Sequence, residues 1–284
     1  MAEDPNGGPP QIEVVQTLLP SSLPVLPLRE TVAFPDLLTP LAVGQDRSVA
    51  LVNDALAGDR MLVMVASRDP ELEAPGPDEL YDVGVAGTIA RMMKVPDGSL
   101  RVLVQGAQRV RLTSWVREQP YLVAEIAAAP DVVEASTELT ALARNVQQTF
   151  SRIVEEVPYL PEELQLAVAN IEDPVALSDL IAGSLRIPVA EKQELLEELD
   201  VAKRLRLLSR ILARELEVIS LGTKIQTQVQ SELEAGQREY MLRQQLKAIQ
   251  EELGEVDEQQ AEANELREQV LAAELPEEVR RQAD

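Results

Sequence analysis

The spacing of apolar residues divides this chain into three stretches. Before about Pro130, apolar and polar residues alternate or run in short blocks of strand length, as in MLVMVAS (61–67), YDVGVAGTIARMMKV (81–95), SLRVLVQGAQRVRLTSWV (99–116) and YLVAEIAAA (121–129). A period of two predicts strands. Pro96-Asp97-Gly98 reads as a hairpin tip, and Gly84, Gly87 and Gly106 predict bulges and bends that curl a small sheet toward a barrel. In LPVLPLRETVAFP (23–35) prolines alternate with aliphatics, which predicts an edge strand because proline donates no ladder hydrogen bond. A single helix is expected here, Asp46 to Ala57, with Asp46 as N-cap and Gly58 just past the end.

Near Pro130 the period changes to 3.6. Leu139, Leu142, Val146, Phe150, Ile153 and Val157 lie on one helical stripe opened by Ser136 and stopped by Pro158. Further helices are expected from Pro161 to about Ala169, after Asp173 with Pro174 at the first position, from Pro188, and from about Asp200. The third stretch, Val201 to Leu253, contains no proline, and a continuous helix of that length would reach about 80 Å and project beyond a domain. Within it Leu221, Ile225, Val229 and Leu233 step by four, whereas Leu242, Leu246, Ile249, Leu253 and Val256 step by four, three, four and three, a coiled-coil stripe. The change of phase after Gly236 predicts a kink or register change. A seam of this kind needs a partner, and the polar residues after Val256 are too few to build one, so the chain reads as the front part of a longer protein.

Composition narrows the chemistry. With 45% hydrophobic residues in 284, the chain can fill two modest cores, and no apolar run approaches a membrane span. The start, MAEDPNGGPPQ, lacks the basic and apolar segments of a signal peptide, so a cytoplasmic location is expected and residues 1–21 read as a flexible tail. There is no cysteine and no histidine, which excludes Ser-His-Asp and Cys-His machinery and the usual zinc sites. Lysine and arginine minus aspartate and glutamate is 26 − 49 = −23, a charge that repels nucleic acid and anionic membranes. The acidic pairs Glu155-Glu156, Glu162-Glu163, Glu197-Glu198 and Glu251-Glu252 read as solvated faces, not metal sites, because adjacent carboxylates diverge on a helix.

Three segments, LPVLPLRETVAFP (23–35), DRMLVMVASRDPE (59–71) and REYMLRQQLKAIQEELGE (238–255), together resemble the amino-terminal region of the Lon family, the ATP-dependent proteases of bacteria and organelles. AEKQELLEELDVAKRLRLLSRIL (190–212) and LPEEVRRQAD (275–284) resemble the family's link to its long helix and the entry to its ATPase module. The resemblance implies an α+β chain: a β-rich pseudo-barrel lobe of the PUA-like, Lon N-terminal type over 22–131, an α-helical bundle lobe over 132–200, a long projecting coiled-coil helix over 201–256, and a helical entry over 257–284 toward an AAA+ ATPase. It implies substrate recognition for an ATP-dependent serine protease with a Ser-Lys dyad, a homohexameric parent, and ATP and magnesium in the parent's ATPase. No G-x-x-x-x-G-K-[ST] phosphate loop occurs in this chain, and no catalytic, cofactor or metal residue of the family can be carried onto it. An autonomous adaptor with a coiled-coil oligomerisation arm is the alternative reading.

Unfolded or damaged protein clients are the partners such a lobe implies, and adaptable apolar contact is the chemistry they require. Methionine supplies it, because an unbranched thioether repacks around different partners. Met92 and Met93 flank the hairpin tip, and strand alternation places them on opposite faces, one in the core and one toward clients. Phe34, Pro35, Leu37 and Leu38 form a second candidate patch for which core packing is the competing reading. On the arm the candidates are Tyr240, Met241, Leu242, Leu246, Ile249 and Leu253, which seam packing explains equally well.

Overall fold

The computed structural model describes residues 19–96, 98–157, 160–253 and 255–272. The expectations placed on residues 1–18, Asp97, Pro158 and residues 273–284 fall outside them. The described chain divides into two units between Ile219 and Ser220.

In the first unit, six strands, β1 (Ser22–Leu28), β2 (Leu38–Val43), β3 (Met61–Ala66), β4 (Val83–Lys94), β5 (Leu100–Arg117) and β6 (Val123–Ala128), form one sheet in the order β2-β5-β4-β3-β1-β6. The length of β5 lets it close the sheet: Val110–Arg117 pair with β6, so β5, β4, β3, β1 and β6 make a ring, while Leu100–Gln105 carry β2 as a wing. Register shifts at Ala86/Gly87 and Ile89/Arg91 supply the bends. Gly106 lies where a Cβ would run into the Phe34 carbonyl oxygen, so only glycine lets the two backbones approach.

The edge-strand expectation for β1 fails, because β1 lies between β3 and β6. Its prolines are tolerated because the two halves pair along different sides: Ser22–Pro24 with β6, Val25–Leu28 with β3. Each half behaves locally as an edge.

Two apolar clusters follow from the alternation. Leu23, Val25, Val63, Val65, Ala86, Val110 and Ala124 belong to the smaller one, and Leu26, Leu28, Leu62, Met64, Val83 and Val85 to the larger. The larger also contains the helices, so the smaller fills the inside of the ring. Helix α1 (Asp46–Ala57) is capped by the backbone of Gln45, with Asp46 in its first turn and no side-chain cap, which corrects the predicted Asp46 cap by one position. α2 (Thr137–Glu156) is capped by Ser136, whose hydroxyl accepts from the Leu139 N–H at 3.0 Å, and it buries Leu139, Val146, Phe150 and Ile153. α3 (Glu162–Asn170), α4 (Pro174–Ser184) and α5 (Val189–Glu197) follow, α4 with Asp173 accepting from the N–H groups of Val175 and Ala176. Sheet and helices share the larger cluster, so the change of period at Pro130 is a change of element type inside one compact unit.

α6 (Val201–Leu253) begins in that unit, with Asp200 accepting from the Lys203 N–H at 3.1 Å and Val201, Leu205, Leu208 and Leu212 fully buried. A buried ionic network anchors this first part. Arg109 of β5 and Arg204 of α6, exposed by 2% and 0%, both reach Asp179 of α4 and Asp131 after β6. Arg109 forks onto Asp179, one arm at 2.9 Å, and donates from Nε to the Leu196 carbonyl. Arg204 donates from Nε to the Glu198 carbonyl at 2.8 Å. Burial pushes the Asp179 carboxyl above its ordinary range, and the Arg109 fork opposes that shift.

In the second unit α6 continues unbroken through Gly236, the position of the expected kink or register change, and every side chain from 220 to 249 is exposed. α7 (Glu255–Ala272) follows.

Candidate functional site

The wing formed by β2, the first half of β5 and the second half of β4 has one face in the core and one toward solvent. Residues opposite one another on antiparallel strands share a face. Leu41, Val102 and Met92 form an inward row, the first two buried and Met92 packed against the larger cluster. The outward rows are Leu38, Gln105 and Thr88; then Pro40, Leu103 and Arg91; then Ala42, Arg101 and Met93. Leu103 and Gln105 are half-buried and the other seven are exposed.

The six candidates in this region therefore separate. Phe34 is 1% exposed and Pro35 is buried, which removes both from any surface that a partner could touch in the folded state. Leu37 is half-buried and leans on α4 at Gly183, where a Cβ would collide with its methyl group. Met92 turns inward. Leu38 and Met93, 53% and 56% exposed, stand at opposite corners of the same outward face, roughly 15–20 Å apart by strand geometry. Along β2 the face is apolar, with Leu38, Pro40 and Ala42, and Leu103 extends it onto β5. Arg91 and Arg101 sit diagonally beside that column, and exposed Lys94 follows Met93 at the hairpin end. None of these cations has an ion-pair partner among the described residues.

The sequence reading missed Leu103, Pro40, Arg91 and Arg101. The signal was present for β5, since Arg101, Leu103 and Gln105 alternate with buried Leu100, Val102 and Val104. For β4 the bulge at Ala90 shifts the alternation, so simple parity counted from Val85 would have placed Arg91 and Met93 inward.

On the arm Tyr240, Met241, Leu242, Leu246 and Ile249 are 55% to 64% exposed. The side chain of Leu253 lies outside the described residues. Among the described residues no group of three or more carboxylates could hold a metal ion, and no helix is long and apolar enough to cross a membrane.

The ring, its wing, the helical layer and the first turns of α6 fall within the span of a single family match. Residues 22–214 match the family described as the ATP-dependent protease La (LON) substrate-binding domain, and the chain belongs to that family. A Lon protease of Dictyoglomus thermophilum is 42% identical over 266 residues, covering 94% of this chain and 34% of that protein. A Lon protease of Koribacter versatilis is 43% identical over 264 residues, covering 92% and 32%. The chain thus spans about a third of the length of the curated relatives it matches. The solved N-terminal domain of Mycobacterium avium complex Lon protease superimposes with a TM-score of 0.58 at 25% identity, covering 68% of this chain and 98% of that one.

Proposed function

We propose that this chain captures exposed apolar segments of unfolded or damaged proteins on the outward face of the β2-β5-β4 wing and presents them for ATP-dependent degradation in protein quality control. The parent in this reading is a cytoplasmic, homohexameric serine endopeptidase with a Ser-Lys dyad, whose separate ATPase module holds ATP and magnesium. The lobe recognises, and the arm places the client over the ring.

The observation that carries the reading is the shared face of Leu38 and Met93. Apolar side chains on a solvent-facing sheet gain free energy only when something covers them, by about 25 cal/mol per Å² removed from water. Folded proteins keep their apolar segments inside, so a face of this kind discriminates unfolded from native chains. Met93 adapts to varied side chains, and the rigid β2 column with Pro40 gives a fixed platform.

The test is fluorescence anisotropy of a labelled client in native and heat-unfolded forms against the 284-residue chain and its Leu38→Ser/Met93→Ser variant. The expected outcome is binding of the unfolded form alone, weakened by about tenfold or more in the variant, which corresponds to about 1.4 kcal/mol of lost contact. Equal affinity of chain and variant would overturn the assignment of the face.

A further inference from the structure

The wing's charge says which apolar segments it prefers. The chain carries a net charge of −23, yet the nine outward positions of the wing hold two arginines and no carboxylate, and Lys94 adds a third cation at the hairpin end. Among the described residues Arg91, Arg101 and Lys94 have no ion-pair partner, so the β4-β5 side of the wing carries positive charge in an otherwise acidic chain.

We infer that this face selects apolar client segments flanked by acidic residues. The inference rests on the client-binding reading and names its substrate class. The geometry sets the arrangement: aliphatic client side chains lie along Leu38, Pro40 and Leu103, while a carboxylate one or two residues further on meets Arg91 or Arg101. Two-residue steps along a strand are about 6.8 Å and neighbouring strands about 4.8 Å apart, so both guanidinium groups lie within side-chain reach of the apolar column. Guanidinium forks suit carboxylates and pack flat against apolar surface, which lets the same arginines serve both parts of the segment. Covering the column removes water from the adjacent arginines and strengthens the attraction. Elsewhere the acidic surface repels such a segment, so the wing is where it settles. Segments flanked by lysine or arginine meet like charge at the wing.

The test uses three labelled unstructured peptides with one apolar centre and flanks of glutamate, serine or lysine, titrated with the full chain by anisotropy. The glutamate-flanked peptide binds at least about fivefold more tightly than the serine-flanked one, and the lysine-flanked one binds more weakly than both. Raising salt from about 20 to about 300 mM narrows the spread. Arg91→Gln/Arg101→Gln abolishes the difference between glutamate and serine flanks, whereas Arg144→Gln/Arg152→Gln, which removes two exposed charges from α2, preserves it. Equal affinity for the three peptides, or a preference that survives Arg91→Gln/Arg101→Gln, overturns the inference while leaving client binding intact. Failure of all three to bind overturns both. A concentration-dependent mass that Arg91→Gln/Arg101→Gln abolishes would assign the face to a second copy of the chain and likewise overturn it.

Discussion

Gly106 and Asp200 show how much a single position decides here. Gly106 lets β5 pass against the Phe34 carbonyl, and that approach also holds Leu37 and Leu38 at the entrance to the wing: the Asp36 and Gly106 N–H groups donate to the Gly106 and Leu37 carbonyls at 3.2 and 2.9 Å. Gly106→Ala must push the backbones apart, and the expected cost is about 1–3 kcal/mol in urea denaturation, in the range of overpacking; a cost near zero would mean that the crossing yields freely. Asp200 caps α6, and its carboxyl is held below the ordinary range chiefly by the Lys203 backbone N–H. A depressed folded-state pKa means that the ionised cap adds stability above the unfolded value of about 4 and loses it as pH falls through the folded value. The melting temperatures of the chain and of Asp200→Ala should therefore differ near neutrality and converge as pH falls below the ordinary aspartate range. A gap of constant size across that range would show that the charge contributes nothing.

Among the elements, those specified locally were legible and those specified by distant pairing were not. Ser136 and Asp173 each cap a helix three or fewer residues away, and the alternation in β5 is visible within one strand, so α2, α4 and β5 could be read from the chain. β1 was misread as an edge because its neighbours β3 and β6 lie far along the sequence, and nothing local reports that its two halves pair on different sides. The outward wing was half legible: Met93 and Leu38 were identified, but the bulge at Ala90 and the β2-β5 register decide that they share a face. The ionic network was invisible for the same reason, since Arg109 sits in an otherwise strand-like run and meets Asp131 and Asp179 22 and 70 positions away. It joins ring, helical layer and the start of α6, so the first turns of α6 are fixed to the sheet within the first unit. Arg109→Ala leaves Asp179 buried beside a single remaining guanidinium, and the expected loss is about 3–5 kcal/mol by chemical denaturation. A loss under about 1 kcal/mol would show that water enters and replaces the pair.

Taken as a whole molecule, the chain is strongly acidic, and its described residues include an apolar wing face that carries Arg91 and Arg101 and a long exposed helix. At a net charge of −23 the chain repels anions in general, and the cations of the wing stand against that background. On the proposal that the parent's ATPase drives its hexamer formation, light scattering over a concentration series is expected to show a monomer or weak self-association for these 284 residues. A stable hexamer at low micromolar concentration would move that role to the arm. The central claim is that the wing senses unfolded chains, and methyl NMR tests it most directly. Titration of the isotope-labelled protein with one client, native and then heat-unfolded, should shift Leu38, Leu103 and Met93 with the unfolded form alone and leave inward Met92 and Leu41 far less affected. Shifts confined to the arm methyls of Leu242, Leu246 and Ile249, or none with either form, would contradict it.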